Sequence, residues 1–154
     1  MISKRIKKLA SFIDDDSYFL DVGCDHAYLS IYLAKERKIK SIASDISEES
    51  FKKAKANIIK YKVEDLVKVY NLPNLDALNH DINTIVISGM GGFQMINILK
   101  SNSLEYIKRI ILSPHHDLDN LKEYMKLISF NLKKEETFQD KKHNYIMLLY
   151  ERNT

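Results

Sequence analysis

Cysteine, tryptophan, proline and glycine are scarce in this chain of 154 residues, which contains one, none, two and four of them. A single cysteine, Cys24, excludes an internal disulfide and suits a reducing compartment. No apolar run approaches the roughly 20 residues that a membrane-spanning helix needs, and no signal-like apolar segment follows the basic start. We therefore expect a cytoplasmic protein that does not insert into a membrane.

Length and composition predict one domain over residues 1–154. The hydrophobic content is 45%, enough for one full core, and a second domain would have little to bury. The net charge of +3 is mild, but four cations and no acid fall within the first thirteen residues: Lys4, Arg5, Lys7 and Lys8. Apolar residues at helical spacing predict that residues 1–16 form a basic amphipathic helix that leads into the sheet, with its lysines outward. These cations either form a solvated helix face or contact nucleic acid, and charge alone does not separate the two.

Strand and helix patterns alternate along the rest of the chain. Ser47 and Asp117 are positioned as helix N-caps, and Glu48 and Glu49 after Ser47 oppose the positive end of the helix dipole. The pattern predicts five strand–helix alternations and then a hairpin at about 131–151, with the first five strands at 18–22, 40–45, 67–70, 82–88 and 109–112. This order indicates a mostly parallel α/β sheet of seven strands, with helices on both faces and one antiparallel strand.

The four glycines all follow predicted strand ends. Average usage would give roughly eleven glycines in a chain of this length. Gly23 follows the first strand, and Gly89, Gly91 and Gly92 follow the fourth. Ligands of open parallel sheets bind beyond the carboxyl ends of the strands, so both glycine groups lie at the expected mouth of a ligand site. A tight strand–helix turn that needs glycine for positive φ is the simpler alternative for Gly23.

The residues after Gly23 indicate the kind of ligand. Dinucleotide-binding loops place further glycines there so that the backbone can approach a pyrophosphate, whereas this chain has Cys24, Asp25 and His26. A carboxylate would repel a pyrophosphate but suits a ligand that carries an ammonium and a sulfonium, which is S-adenosylmethionine. Asp45, near the end of the second strand, is placed to accept both hydroxyl hydrogens of a ribose. Nicotinamide enzymes use the same acid, so Asp45 alone does not identify the cofactor.

Three segments together resemble one family of RNA-modifying enzymes. "DVGCDHAYL" (21–29), "TIVISGMGG" (84–92) and "RIILSPHHDLDNLKEYM" (109–125) resemble, in order and spacing, the TrmK-type tRNA adenine-N1 methyltransferases. The resemblance implies a Rossmann-like class I fold, S-adenosyl-L-methionine as cofactor, and N1 of the adenine at tRNA position 22 as target. It also implies that Asp21, Gly23 and His26 shape the methionine end of the cofactor site. The full set of expected cofactor-binding residues is Asp21, Gly23, Cys24, His26, Asp45, Ile46, Asn71, Leu72, Ser88 and Gly89.

The chemistry implied by this resemblance needs positioning more than a base, because adenine N1 already carries the attacking lone pair. Asp25 is the expected carboxylate that stabilises the cation formed on the methylated adenine. Tyr28 is the expected aromatic contact for a base that has left its stack, with core or rim packing as the alternative. Gly91 and Gly92 are expected to let main-chain groups approach the base. The expected RNA contacts are Lys4, Arg5, Lys7, Lys8 and His115.

The sequence departs from the family pattern at three places. After the third strand it reads "YNLPNL" where the family has Gly-Asp-Gly-Leu, so Asn71 replaces an acid beside the adenine. After the fifth strand Ser113, Pro114 and His115 stand where the family has Gln-Pro-Asn. Relatives carry a helical, coiled-coil-like extension, which we expect this chain to lack, and we expect a monomer.

Several motifs in the sequence also allow other functions. "GCDH" and "PHHD" together could supply metal ligands if their loops met, although no metal is expected. Cys24 as a nucleophile is disfavoured because the neighbouring Asp25 would raise the pKa of its thiol. A nicotinamide enzyme is disfavoured by the loop after Gly23. The remaining alternatives are a methyltransferase for another RNA or substrate and a non-catalytic module that binds S-adenosylmethionine or tRNA.

Overall fold

The computed structural model describes residues 2–153, so both end positions of the predicted 1–154 domain lie outside it. Within these residues one sheet contains seven strands: β1 (Tyr18–Val22), β2 (Lys40–Ser44), β3 (Val67–Tyr70), β4 (Thr84–Met90), β5 (Arg109–Pro114), β6 (Phe130–Asp140) and β7 (His143–Arg152). The helices of the same part of the chain are α1 (Lys4–Ala10), α2 (Tyr28–Arg37), α3 (Glu48–Lys60), α4 (Gly92–Leu99) and α5 (Leu118–Leu127). None of these helices is long and apolar enough to cross a membrane.

The strand order is β3-β2-β1-β4-β5-β7-β6, and the sheet is parallel except for β7. β7 runs antiparallel to both of its neighbours, β5 and β6. The sequence-based prediction of a mostly parallel, seven-stranded sheet with one antiparallel strand is thus confirmed. The strand order reverses between β1 and β4, and a ligand of an open α/β sheet binds at such a switch point.

Helices cover both faces of the sheet because its strands alternate apolar side chains between the faces. On β1, Phe19 packs in the cluster with α1 and α2, whereas Leu20 packs in the cluster with α4 and α5. A third cluster joins α2 and α3 to β2 and β3 through Ala43 and Val67. Asp21 follows Leu20, so it returns to the face covered by α1 and α2.

Two predicted features are wrong. The basic helix is shorter than residues 1–16 because α1 ends at Ala10, although Ile13 is still buried beyond its end. Only four of the five predicted strand–helix alternations occur, since β3 is joined to β4 by turns rather than by a helix. Leu75 and Ile82 in this connection are fully buried and cover the sheet in place of a helix.

The two predicted N-caps differ. Ser47 caps α3 as expected, because its hydroxyl accepts a hydrogen bond from the N–H of Ser50 at 3.2 Å. Asp117 occupies the N-cap position of α5 but has a left-handed backbone (φ +60°) and makes no side-chain cap. Its carboxylate instead lies 2.7 Å from Nδ1 of His116.

Candidate active site at the switch point

Two cavities adjoin at the carboxyl ends of β1 and β4. One, of about 400 Å³, extends under α1 and α2. The other, of about 320 Å³, extends toward β2 and α4. They share Gly23, Ser88 and Gly89 as a common wall, so they form two halves of one crevice.

Backbone irregularity at the shared wall explains the glycines there. Gly23 has φ +70° directly after β1, and Gly89 has φ +76°. Gly89 lies inside β4 rather than after it, because β4 continues to Met90 with a register shift between Ser88 and Met90. A bulge of this kind redirects a strand end and favours glycine in the left-handed region.

Space is also restricted at Gly23. A Cβ atom added there would lie 2.5 Å from Cε of Met90. Met90 lines the smaller cavity, so the β4 side chain and the β1 turn pack directly against each other across the crevice. Gly23 therefore meets two requirements at once, positive φ and close approach.

The loop from Gly23 to α2 holds its side chains at the mouth through an unusual backbone. Asp25 and Ala27 both have positive φ, +53° and +64°, without being glycine. The Asp25 side chain is largely exposed, and its Oδ1 lies 3.6 Å from Nε2 of His26. The His26 ring packs edge-on against Tyr28, with ring centroids 5.5 Å apart. Cys24, Asp25, His26 and Tyr28 all line the larger cavity.

Asp45 lines the smaller half of the crevice, whereas Asp21 lines the larger half, and the Asp45 side chain is fixed by the backbone. One carboxylate oxygen accepts a hydrogen bond from the N–H of Asp25 at 3.1 Å, and the other accepts one from the N–H of Ser47 at 2.9 Å. The side-chain amide of Asn71 donates to the carbonyl oxygens of Asp45 and Ile46 at 2.9 and 3.1 Å. Asn71 is thus a support for this loop and does not itself line either cavity, whereas Asp45, Ile46 and Leu72 line the smaller one.

Asp21 is a buried carboxyl in the wall of the larger cavity. Burial raises its pKa to about 7, while the Arg5 guanidinium lowers it and the nearby carboxylates of Asp45 and Asp25 raise it. Burial is the largest of these effects because a carboxylate loses hydration when it leaves water. Asp21 therefore titrates near neutral pH in the folded protein.

Arg5 points into this crevice, so the interpretation of the N-terminal cations as one solvated helix face is wrong for this residue. It lines the larger cavity, donates to Oγ of Ser88 at 3.5 Å, and lies 5.7 Å from the ring centroid of Tyr145. Lys8 is also engaged, with its Nζ 2.8 Å from a carboxylate oxygen of Glu136. Only Lys4 and Lys7 have the exposed character that was expected of the whole group.

Gly91 and Gly92 do not line either cavity. A Cβ atom on Gly91 would collide with the imidazole of His116, and one on Gly92 would collide with the main-chain oxygen of Asp117. The N–H of Gly92 donates to the carbonyl oxygen of His116 at 2.8 Å. The absence of a side chain at these glycines therefore serves the close packing of the segment after β5, while an approach of their main-chain groups to a base stays a prediction.

His115 is the member of this segment that borders the crevice. Its N–H donates to the carbonyl oxygen of Met90 at 2.8 Å, and its Nε2 would lie 3.9 Å from a Cβ atom on Gly89. The side chain is exposed. The predicted RNA-contacting residue thus stands at the edge of the shared wall.

The metal and nucleophile alternatives find no support. Among residues 2–153 no group of three or more His, Cys, Asp or Glu side chains could hold a metal ion, so "GCDH" and "PHHD" do not form a metal site together. The Cys24 thiol is buried, and burial, with the carboxylates of Asp21 and Asp45, raises its pKa. A protonated, buried thiol is a poor nucleophile.

Residues on α4 complete the smaller cavity and were missed from the sequence. Gln94 and Asn97 line it together with Asn74 and Met90. Gln94 and Asn97 are the polar residues of an otherwise apolar helix, spaced three apart, which puts them on one face. That spacing next to the glycine-rich segment is the signal that could have identified them.

Comparison with known proteins gives consistent similarities over the whole fold. A family model described as a methyltransferase domain matches residues 2–148. A candidate tRNA methyltransferase of Mycoplasma genitalium is 30% identical over 157 residues, which covers 98% of this chain and 70% of that protein. The tRNA (adenine(22)-N(1))-methyltransferase of Bacillus subtilis is 29% identical over 128 residues, covering 80% of this chain and 54% of that enzyme. The chain thus spans about half the length of the Bacillus enzyme.

A solved structure extends the similarity to three dimensions. A candidate tRNA (m1A22) methyltransferase of Streptococcus pneumoniae, in complex with S-adenosyl-L-methionine, matches with a TM-score of 0.94 and 31% identity. The match covers 99% of this chain and 73% of that one.

Proposed function

The chain belongs to the TrmK-type family of tRNA adenine-N1 methyltransferases, and on that premise we propose that it transfers a methyl group from S-adenosyl-L-methionine to N1 of an adenine in tRNA, of the position-22 type. The observation that carries this proposal is the divided crevice at the switch point. Its two halves meet at Gly23 and Gly89, and each half has the polar groups suited to one end of the cofactor.

The smaller half suits the adenosine end of the cofactor. The Asp45 carboxylate is oriented by two backbone N–H groups and keeps lone pairs free to accept from ribose hydroxyls. Ile46 is 76% exposed although it is apolar, and with Leu72 it would cover an adenine. Asn71 would act by holding this loop in place.

The larger half suits the methionine end. Arg5 is the one permanent cation among the residues that line this half. Arg5, rather than Asp21, would therefore bind the carboxylate of the cofactor. Asp21 and the neighbouring carboxylates would attract the ammonium group. Gly23, Cys24, His26, Ser88 and Gly89 would form the wall around the chain that joins the two ends.

When bound, S-adenosyl-L-methionine supplies a methyl group activated by a positively charged sulfur. Adenine N1 needs no deprotonation before it attacks, so the protein contributes mainly by positioning. The positive charge that develops on the adenine lies in reach of the mouth, where Asp25 presents an exposed carboxylate that can stabilise it. Tyr28, held by His26, offers an aromatic surface for the extruded base.

The substrate side of the proposal involves the residues that border the mouth. His115 would contact the target nucleotide, and Lys4, Lys7 and Lys8 would contribute to the positive potential that attracts RNA. Gly91 and Gly92 would serve the site indirectly, by allowing the segment that carries His115 to pack against α4. We further propose that residues 1–154 act as one monomeric catalytic domain in the cytoplasm.

Methyl transfer to defined RNA tests the proposal. Purified protein is incubated with unmodified tRNA transcripts and methyl-labelled S-adenosyl-L-methionine, and the digested RNA is analysed by mass spectrometry for 1-methyladenosine. A transcript in which the adenine at position 22 is replaced by guanine is the matched control. Appearance of 1-methyladenosine only in the adenine transcript is expected. Cofactor binding without any modified nucleoside would instead support a non-catalytic binding module.

A further inference from the structure

The hairpin of β6 and β7 projects past the strand that supports it. β7 pairs with β5 from Glu151 to Leu148, and Oγ of Ser113 donates to the carbonyl oxygen of Ile146 at 2.8 Å. Residues 143–145 continue beyond that point in the direction in which β5 ends. At about 3.3 Å per residue, the hairpin extends roughly 10 Å past β5 toward the edge of the sheet that carries the crevice.

α1 attaches this projecting hairpin to the crevice. Lys8 of α1 pairs with Glu136 on β6, and Arg5 lies over the ring of Tyr145 on β7. Tyr145 is opposite Phe138, two residues nearer the tip than Glu136. The amino end of α1 therefore points toward the hairpin tip. Lys4 lies one helical turn before Lys8, so it is on the same side of α1 and closer to that tip.

The hairpin tip, residues 139–144, is basic and exposed. Lys141 and Lys142 form the turn, and exposed His143 follows them. Asp140 is the acid of the tip, so the two lysines leave an excess of positive charge, to which exposed Lys4 adds. Glu136, an acid further back on β6, is paired with Lys8 at 2.8 Å and approached by Lys134 at 3.9 Å.

We propose that the hairpin tip and Lys4 form a docking surface for the phosphate backbone of the RNA substrate, which places the target nucleotide over the crevice. This inference rests on the proposed function, because it presumes an RNA substrate. Lysine is suited to this role as a mobile point charge that contacts phosphates without reading bases.

The aromatic residues beneath the tip favour contact with phosphates over contact with bases. Tyr145 stacks on Phe138 with ring centroids 5.3 Å apart, and Arg5 covers it as well. Because its ring is engaged in this way, Tyr145 is a support for the hairpin rather than a platform for a nucleobase. The surface should accordingly bind RNA with strong salt dependence and little sequence preference.

Charge-neutralising variants of the tip test the inference. The test variant is Lys141→Gln/Lys142→Gln, and the matched control is Lys108→Gln/Lys126→Gln, which removes the same charge from exposed lysines near the amino end of β5 and the last turn of α5. Binding of tRNA is measured by fluorescence anisotropy across a salt series, and binding of S-adenosyl-L-methionine by calorimetry. The tip variant should bind tRNA about tenfold more weakly, with a salt slope reduced by about 1.5 to 2. Its cofactor affinity and the tRNA affinity of the control should equal those of the unmodified protein.

The outcomes separate this inference from the proposed function. If the tip variant and the unmodified protein share one tRNA affinity and one salt slope, the docking surface is wrong even where 1-methyladenosine is formed. Absence of tRNA binding by the unmodified protein would overturn it as well. If tRNA binds and the tip variant weakens it, but no adenine is methylated, the docking surface stands and the proposed reaction fails.

Discussion

The imidazole of His116 occupies the space in which a side chain at Gly91 would stand. The two residues belong to different strand ends, one leading from β4 into α4 and the other from β5 into α5. Their contact locks together the two loops that flank the shared wall of the crevice. Gly92 makes the corresponding contact with the main chain of Asp117.

A methyl group at Gly91 should therefore destabilise the fold through His116 alone. We expect Gly91→Ala to lower the free energy of unfolding by about 0.5–1.5 kcal/mol, because the exposed His116 ring must leave its contact with Asp117 to move aside, and His116→Ala in the same chain to recover most of the remaining strain. The His116 side chain is 70% exposed and can be removed at little cost of its own. Urea unfolding of both single variants and the double variant measures the coupling. Gly92→Ala is the contrast, because its obstacle is a backbone oxygen, and His116→Ala should not rescue it.

Gly23→Ala should weaken cofactor binding by at least about tenfold. Alanine at this position would have to adopt φ +70°, which is strained for a residue with a Cβ atom. Its methyl group would also lie 2.5 Å from Cε of Met90, which would have to move. Calorimetric titration with S-adenosyl-L-methionine measures the effect. Adding Met90→Ala removes the steric conflict but not the backbone strain, so partial recovery is expected in that double variant. Full affinity in the single variant would show that neither requirement matters.

Asp25→Asn should reduce turnover more than binding. The amide keeps the size of the side chain but no longer offsets the charge that appears on the methylated adenine, so we expect kcat to fall by about 10- to 100-fold. The backbone N–H of Asp25 that supports Asp45 is unaffected by the substitution. The dissociation constant of S-adenosyl-L-methionine should change by less than about threefold. An unchanged kcat at saturating tRNA would remove Asp25 from the mechanism.

Stability should decline as pH rises toward neutrality because of Asp21. Its pKa is about 7 in the folded protein, against about 3.9 when unfolded, so between these values the folded state holds the extra proton. The stabilisation is complete below pH 4 and is lost as pH rises through 7, by at most about 4 kcal/mol.

Asp21→Asn isolates this effect, because the amide cannot ionise. In urea unfolding at pH 5 and at pH 8, the variant should lose less stability than the unmodified protein does over that interval. Asp76→Asn, at an exposed turn position, serves as the control and should follow the unmodified protein. Parallel behaviour of Asp21→Asn and the unmodified protein would mean that Asp21 is not protonated near neutral pH.

Local signals were sufficient for most elements of the fold. Each of these signals lies within a few residues: the Ser47 cap, the apolar run of β1 and the isolated position of Gly23. The glycine positions after the strands were enough to predict where the crevice lies. Asp45 was also found, because its position follows from strand length and strand order.

Contacts between segments that are distant in the sequence could not be predicted from such local signals. The Arg5 side chain points inward because it donates a hydrogen bond to Ser88 and lies over the ring of Tyr145. Lys8 pairs with Glu136, which is more than 120 residues away in the sequence. Helical periodicity places both cations on a solvated surface, since no local pattern indicates the hairpin that lies beside α1. The sequence likewise gives no sign that Gly91 packs against His116, because His116 lies on another loop.

The edges of the sheet have a consequence for self-association. β3, at one edge, is only four residues long, and β6, at the other, spans eleven. A long open edge exposes unpaired backbone groups to which other copies of the chain can add. Glu135 and Glu136 of β6 are paired with Lys122 and Lys8, which leaves the positive charges of Lys133 and Lys134 in excess along this edge, so two copies of the edge would repel each other. This charged run should keep the protein dispersed at high concentration, and the protection should weaken as salt screens it.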